Sequence, residues 1–245
     1  MDPVPGSSGV HWSSVPRSPL PGLPLKKARI FEGSTPRELF THHASEHTVL
    51  RCHPDAHRLV RRGDDREMLI YVDGSCLDQN DATNVDIRRA GCAWVFKPEP
   101  YAFDQRSVAI RLELEGPDGQ QYPQTSNRAE LRAALGALRF RAWDGEGYHR
   151  VVIASDSEYL VLGITEWIEN WADNGWRTGS GDAVKNEDLW KALLERINHF
   201  AKIGLEVLFW RIPRELNGEA DQAAKAAAQN EPAVVKFSNL RGALV

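Results

Sequence analysis

Two short runs of strand-forming residues, each followed by an acidic residue, constrain the fold of this chain more than any other feature. Residues 68–72 read MLIYV and lead into a turn-like DGS sequence that begins at Asp73. Residues 151–154 read VVIA and lead, through one serine, to Asp156. Apolar runs of this length are typical of buried strands. We therefore expect a sheet in which two buried strands end at an acid.

Hydrophobic periodicity predicts the remaining elements. Three more strands are expected at residues 90–96, 107–114 and 205–212. Four helices are expected at residues 127–143, 157–170, 189–200 and 218–229. The order of these elements predicts an α/β fold: a five-stranded mixed sheet, with three antiparallel strands and then two parallel ones, flanked by helices.

The same reading divides the chain into four parts. Residues 1–30 form a Pro-, Ser- and Gly-rich leader that we expect to be disordered. Residues 31–66 are a linker or a partly ordered extension, residues 67–231 form the folded domain, and residues 232–245 are a C-terminal tail. We expect the activity to reside in the folded domain.

Composition narrows the class of protein. The chain is 42% hydrophobic and 26% charged, which is ordinary for a soluble globular protein. Its three cysteines lack CxxC spacing, which argues against a disulfide framework or a zinc site and favours an intracellular location, in the cytoplasm or nucleus. No stretch approaches the roughly 18 apolar residues of a membrane span, so we expect no membrane partner. A monomer is the default expectation.

The net charge bears on possible partners. At −4 it gives no global electrostatic reason to bind nucleic acid. Any such contact would therefore need a local basic surface or bound cations.

Four acidic residues could converge on this sheet. Asp73 and Asp156 follow strands, whereas Glu130 and Asp221 lie on predicted helices that could pack beside them. Clustered carboxylates repel one another unless cations neutralise them, and Mg²⁺ prefers carboxylate and water oxygens. A pair of such ions can bind the attacking water and the leaving oxygen of a phosphodiester. The pattern therefore indicates metal-dependent phosphodiester hydrolysis.

Each acid also has an ordinary structural interpretation. Asp73 could start a turn, and Glu130 could be a solvated helix charge. Asp156 could cap the helix that begins at Ser157, and Asp221 could be a surface charge on an alanine-rich helix. Taken singly the four positions do not decide between these interpretations, so the residues around them must.

The sequences around the acids resemble the type 1 ribonuclease H family. They read YVDGSC at residues 71–76, TSNRAEL at 125–131, ASDSEY at 154–159 and NGEAD at 217–221. Two supporting sequences, GITEWI at 163–168 and VKNEDLW at 184–190, are similar to the family too. The resemblance implies the ribonuclease H-like fold and an endonuclease that cuts the RNA strand of RNA·DNA hybrids.

The resemblance also implies roles for individual residues. The catalytic and metal-binding carboxylates would be Asp73, Glu130, Asp156 and Asp221, holding two Mg²⁺ ions for which Mn²⁺ can substitute. Residues expected to contact the hybrid are Gly74, Ser75, Cys76, Asn127, Arg128 and Trp176. Such contacts read the 2′-hydroxyl, so cutting without base specificity is expected. No small-molecule organic cofactor is implied.

The chain departs from the family pattern at three places. The loop at residues 210–217 lacks the histidine common in relatives, which predicts slower turnover because general acid–base help is typically worth about 10²–10⁴-fold. Glu158 stands where many relatives have Gln, and we expect it to face solvent. Acidic residues outnumber basic ones at 171–188, where relatives grip the DNA strand, so a weaker grip is expected.

Two alternatives to a ribonuclease H remain open. One is a catalytically weak or inactive domain of the same fold that binds nucleic acid or protein. The other is a different nuclease of the same architecture. The complete set of four acids argues against a pure binding module, because clustered anions without metal disfavour contact with phosphate.

Overall fold

The computed structural model describes residues 33–44, 57–77, 88–97 and 106–242, and the leader predicted for residues 1–30 lies outside them. Its strands form one seven-stranded sheet. In chain order the elements are α1 (Pro36–Leu39), β1 (Phe40–Ala44), β2 (His57–Arg61), β3 (Asp64–Leu77), β4 (Arg89–Val95), β5 (Ser107–Arg111), α2 (Ser126–Phe140), β6 (Arg150–Ser155), α3 (Glu158–Leu162), a π-helical turn (Gly163–Trp167), α4 (Ile168–Asp173), α5 (Glu187–Lys202), β7 (Glu206–Arg211), a 3₁₀ turn (Arg214–Leu216) and α6 (Gly218–Asn230).

Strand β3 lies at the centre of the sheet. It pairs antiparallel with β4, which pairs antiparallel with β5. On its other edge β3 pairs parallel with β6, which pairs parallel with β7. The predicted α/β fold, with three antiparallel strands and then two parallel ones, is confirmed.

The sheet also includes two strands that the sequence analysis did not predict. Strands β1 and β2 lie within the extension predicted at residues 31–66, and β2 pairs with the first half of β3. The alternation of β2 is hard to recognise because one of its buried positions is a charged residue, Arg58, which pairs with Glu146 at 3.0 Å. A buried charge that is paired in this way breaks the apolar pattern on which strand prediction depends.

Helices cover both faces of the sheet. A Cβ atom added at Gly136 of α2 would lie 2.5 Å from the ring of Trp94, so α2 packs directly on β4. A Cβ atom added at Gly91 would lie 2.4 Å from the carbonyl oxygen of Ala224 in α6. Residues 91 and 94 of one strand point to opposite faces. The alanines of α6 therefore permit close packing of this helix on the sheet.

The C-terminal tail is attached to the domain. The backbone N–H groups of Leu114 and Glu115 donate to the carbonyl oxygens of Val234 and Val235, at 3.0 and 2.9 Å. Gly242 donates to the last residue of α2, Phe140, at 2.7 Å. Within the described ranges, no helix combines the length and the apolar character that crossing a bilayer would require.

One local prediction is wrong. The sequence DGS at Asp73 is not a turn, because β3 continues through it to Leu77. Gly74 stands inside the strand and not at a bend. A Cβ atom there would lie 2.2 Å from the backbone nitrogen of Glu130, so the glycine permits α2 to contact β3.

Candidate active site

The register of the sheet brings two of the acids together. Tyr71 of β3 pairs with Ala154 of β6 in a parallel ladder. The residues two positions further along, Asp73 and Asp156, therefore lie beside each other at the carboxyl end of β6. The charge of Asp156 is among the causes that raise the pKa of Asp73.

Glu130 joins this pair from helix α2. Its side chain forms a hydrogen bond with Asp73 and accepts another from Ser155, and the residue is 9% exposed. Its second carboxylate oxygen, Oε2, is buried without a hydrogen-bond partner. Glu130 is therefore not the solvated helix charge of the alternative interpretation.

Burial and mutual repulsion perturb these carboxyl groups. Burial, followed by the charges of Asp156 and Asp221, raises the pKa of Asp73 from its ordinary value of 3.8 to about 7. Burial, followed by the charges of Asp73 and Asp156, raises the pKa of Glu130 well above its ordinary value. Shifts of this kind indicate carboxyl groups that are removed from water and held close to other acids.

Asn217 fixes the position of Asp156. Its side-chain amide donates to Oδ1 of Asp156 at 2.7 Å and to the carbonyl oxygen of Val72 at 3.0 Å. The following helix is capped by Ser157, whose hydroxyl accepts from the backbone N–H of Leu160 at 3.2 Å, so Asp156 is not the helix cap. Sequence reasoning gave Asn217 no role, although it belongs to the NGEAD sequence.

Asp221 lies in the first turn of α6, close enough for its charge to raise the pKa of Asp73. Its two carboxylate oxygens are occupied by cations. Lys225 donates to Oδ2 at 2.6 Å and Arg214 donates to Oδ1 at 3.2 Å. Arg214 belongs to the loop that lacks the family's histidine, so this loop contacts the acidic cluster through a guanidinium group.

The chemistry of the four acids suits a divalent metal ion. Four carboxylates, one with a buried oxygen that has no partner, match the oxygen ligands that Mg²⁺ prefers. In the described part of the chain, however, no three or more His, Cys, Asp or Glu side chains are arranged so that they could hold a metal ion. The carboxylate of Asp221 is instead directed to Lys225 and Arg214 by its ion pairs. The residue types therefore fit the metal, although the carboxylates of the described residues are not arranged around a common ion position.

The residues predicted to contact a hybrid differ in accessibility. Asn127 is exposed at the start of α2, and Ser75 and Cys76 are half-buried on β3 just beyond Asp73. The Cys76 thiol lies 3.6 Å from the carbonyl oxygen of Gln124, to which it donates. Gly74 is covered by α2.

Arg128 does not fit its predicted role. It is 1% exposed, and its guanidinium donates to both carboxylate oxygens of Asp188, at 2.9 and 2.6 Å. The guanidinium also lies 3.9 Å from the centre of the Tyr122 ring. The pair of Arg128 and Asp188 therefore joins α2 to α5, and the charge of Arg128 is inaccessible to a ligand.

The segment that follows α3 contains aromatic residues that pack on one another. The ring of Trp171 lies 5.7 Å from that of Trp167 and 5.5 Å from that of Trp190. Trp176 is half-buried, with the Lys191 ammonium 5.2 Å from its ring centre. Trp171 is thus a packing residue, while Trp176 keeps part of its ring on the surface.

Glu158 faces solvent, as predicted. Its side chain is 58% exposed and pairs with Arg211 at 2.9 Å. The carboxylate therefore faces solvent beside a cation.

Comparisons with known proteins show which proteins the chain is similar to. The RNase H family model matches residues 65–229. A protein of Pseudomonas entomophila named Ribonuclease H is 39% identical over 155 residues, covering 63% of this chain and 88% of that protein. A Ribonuclease H of Haemophilus influenzae is 38% identical over 165 residues, covering 67% of this chain and 92% of that protein. The solved structure of LC9-RNase H1, described as a type 1 RNase H with the type 2 active-site motif, is 26% identical over 71% of this chain and 78% of that chain, with a TM-score of 0.49.

Proposed function

The chain belongs to the ribonuclease H family, and we propose that it is an endonuclease that hydrolyses the RNA strand of RNA·DNA hybrids at the cluster of Asp73, Glu130, Asp156 and Asp221. One observation carries this proposal beyond family membership. Acids from three separate elements meet around Asp73, and burial together with the charges of Asp156 and Asp221 raises its pKa to about 7. A fold that only binds nucleic acid gains nothing from such repulsion.

Divalent metal is part of the proposal. Members of the family generally depend on divalent metal ions, and we propose that the four carboxylates hold two Mg²⁺ ions, with Mn²⁺ as a possible substitute. When bound, such ions supply the positive charge that stabilises a phosphodiester transition state and activates water.

The residues of the chain itself hold the carboxylates in place. Asn217 keeps the Asp156 carboxylate beside Asp73, and Ser155 does the same for Glu130. Gly74 permits α2, which carries Glu130, to lie directly against β3. These contacts reduce the reorganisation that binding of metal and substrate requires.

We propose slow turnover for this enzyme. Arg214 occupies the loop from which the histidine is missing, and a guanidinium remains protonated at any physiological pH. It can supply positive charge near Asp221, but it cannot exchange a proton as a histidine can.

The deciding experiment is cleavage of a labelled RNA·DNA hybrid, beside duplex DNA and duplex RNA, with and without Mg²⁺ or Mn²⁺. Wild type is compared with Asp73→Asn and with Asp118→Asn, a matched change at an exposed acid outside the cluster. We expect metal-dependent cutting of the hybrid's RNA strand alone. Asp73→Asn should abolish it and Asp118→Asn should not.

The alternative function has its own outcome in this experiment. If folded wild-type protein binds the hybrid but does not cut it with either metal, the chain is a binding module of the ribonuclease H fold. If it cuts duplex DNA or duplex RNA as readily as the hybrid, it is a nuclease of another specificity. Either result overturns the proposal.

A further inference from the structure

A cavity of about 580 Å³ lies between the N-terminal elements and the start of α6. Its walls include Arg37 of α1, Phe40 and Thr41 of β1, and residues 215–220. The family model begins at residue 65, so α1 and β1 are additional to the matched domain. We infer that this cavity binds a backbone phosphate of the nucleic acid strand whose neighbouring phosphodiester lies at the acidic cluster. The inference rests on the proposed function.

The charged side chains of the cavity favour an anion. Four cationic residues line it, namely Arg37, Arg62, Lys97 and Arg106, together with two acidic ones, Glu215 and Glu219. The lining therefore carries a net charge of about +2 at neutral pH, whereas the whole chain carries −4. Glu219 and Arg106 pair at 2.6 Å and offset each other, so the net positive charge of the lining is unchanged. This is the local basic surface that binding to nucleic acid requires.

The N-terminal elements contribute two of these cations, Arg37 and Arg62, and hold one of them in place. The Phe40 ring packs against the Trp210 ring, with a centroid distance of 6.3 Å. The backbone N–H of Arg62 donates to the carbonyl oxygen of Leu39 at 2.8 Å, and its Nε donates to that of Glu38 at 3.0 Å. Arg62 is thus fastened to α1, which carries Arg37, and both arginine side chains are exposed. Cations placed in advance lose less freedom when they bind a phosphate.

Asn217 connects the cavity to the acidic cluster. It is 1% exposed and lines the cavity, and the same side chain donates to Asp156. Residues 218–220, the first turn of the 13-residue helix α6, line the cavity too, and the Asn217 side chain does not cap this helix. The positive end of a helix favours anions and here adds to the cations. Asp221 follows directly in the sequence, so a strand at the acids passes close to the cavity.

The test measures binding separately from cleavage. All proteins carry Asp73→Asn, so that the hybrid is bound without being cut. The Arg37→Gln/Arg62→Gln double variant is compared with Arg66→Gln/Lys202→Gln, which removes the same charge at exposed residues outside the cavity. Hybrid affinity is measured between low and physiological salt on a long duplex and on duplexes shortened from either end.

We expect the double variant to bind the long hybrid about tenfold more weakly at low salt. The slope of log affinity against log salt concentration should become less steep by about 1 to 2. The reason is that binding releases about one counterion fewer for each phosphate contact that is lost. The control pair should change affinity by less than about twofold. On a hybrid shortened from the end that reaches the cavity, the difference between the two variants should disappear.

The possible failures are distinguishable. If wild type cuts the hybrid but the two double variants bind it equally and with equal salt slopes, the cavity is not a strand-binding site and the proposed function stands. If the Arg37→Gln/Arg62→Gln defect persists on every shortened hybrid, the effect is general electrostatics and the inference is wrong. If wild type neither cuts nor binds a hybrid, both proposals fall. If inorganic phosphate binds in the cavity but does not affect binding of the hybrid, the cavity is a site for a free anion and the inference is wrong.

Discussion

Replacing Asp73 by Asn should stabilise the metal-free protein at alkaline pH. The pKa of Asp73 rises from 3.8 to about 7 on folding, and each unit of pKa corresponds to about 1.4 kcal/mol of free energy. Ionised Asp73 therefore costs the folded state about 4 kcal/mol at pH 8. We expect a gain of about 2 to 4 kcal/mol from the substitution, because the acids of the cluster titrate together.

The sign of the pH dependence follows from the raised pKa. The folded state holds the proton of Asp73 more tightly than the unfolded chain, so this contribution to stability is complete below about pH 4. It is lost as the pH rises to about 7. Wild type in EDTA should therefore lose stability between pH 4 and pH 8, and Asp73→Asn should lose less.

Urea denaturation at several pH values measures this effect. Asp118→Asn is an informative control, because hydrogen bonds from Tyr122 and Gln120 lower the pKa of Asp118. The stabilisation from Asp118 should therefore be present at neutral pH and fade as the pH falls, the opposite of Asp73. Mg²⁺ should stabilise wild type and not Asp73→Asn at pH 8. Equal pH profiles for wild type and Asp73→Asn would refute the raised pKa of Asp73 on which this reasoning depends.

Three single contacts lead to further measurable outcomes. Gly74→Ala should destabilise the fold by about 3 kcal/mol in urea denaturation, since its Cβ would lie 2.2 Å from the backbone of α2. Arg128→Met should cost about 3 to 5 kcal/mol in the same assay by leaving Asp188 buried without a partner, and a loss below about 1 kcal/mol would contradict the buried pair. Lys225→Gln should raise Mn²⁺ affinity about two- to fivefold in calorimetry by removing a cation from Asp221, and unchanged affinity would show that Lys225 does not compete with the metal.

The sequence is sufficient to predict the core of the fold, because the central strands and helices follow simple hydrophobic periodicities. Residues 68–72 and 151–154 lie inside β3 and β6, and the predicted helix at 127–143 overlaps α2. Convergence of the four acids is predicted from two strands that each end at an acid, but β3 runs past Asp73 to Leu77, and the parallel register of β3 and β6 is what places Asp73 beside Asp156. What carried this prediction was the arrangement of acids relative to strands.

Other features depend on contacts that no local pattern reveals. Arg128 has the sequence context of a substrate contact, yet it is paired with Asp188, 60 residues away in the chain. Strand β2 escapes detection because Arg58 fills a buried position and is neutralised by Glu146, 88 residues away. In both cases a charge looks solvated in sequence and is buried in the structure, and only its distant partner explains why.

The net charge of −4 gives no global reason to bind nucleic acid. The structure shows that the positions of the charges matter more for such binding than their sum over the chain. The acids of the candidate site are concentrated around Asp73, where metal ions can neutralise them. Cations stand at their border, with Arg214 and Lys225 on Asp221 and with Arg37 and Arg62 across the cavity beside α6. A polyanion bound to this surface can contact the cations separately from the acids. It is the spatial order of these charges, with acids at the centre and cations around them, that suits the surface to hold a phosphodiester and to cut it.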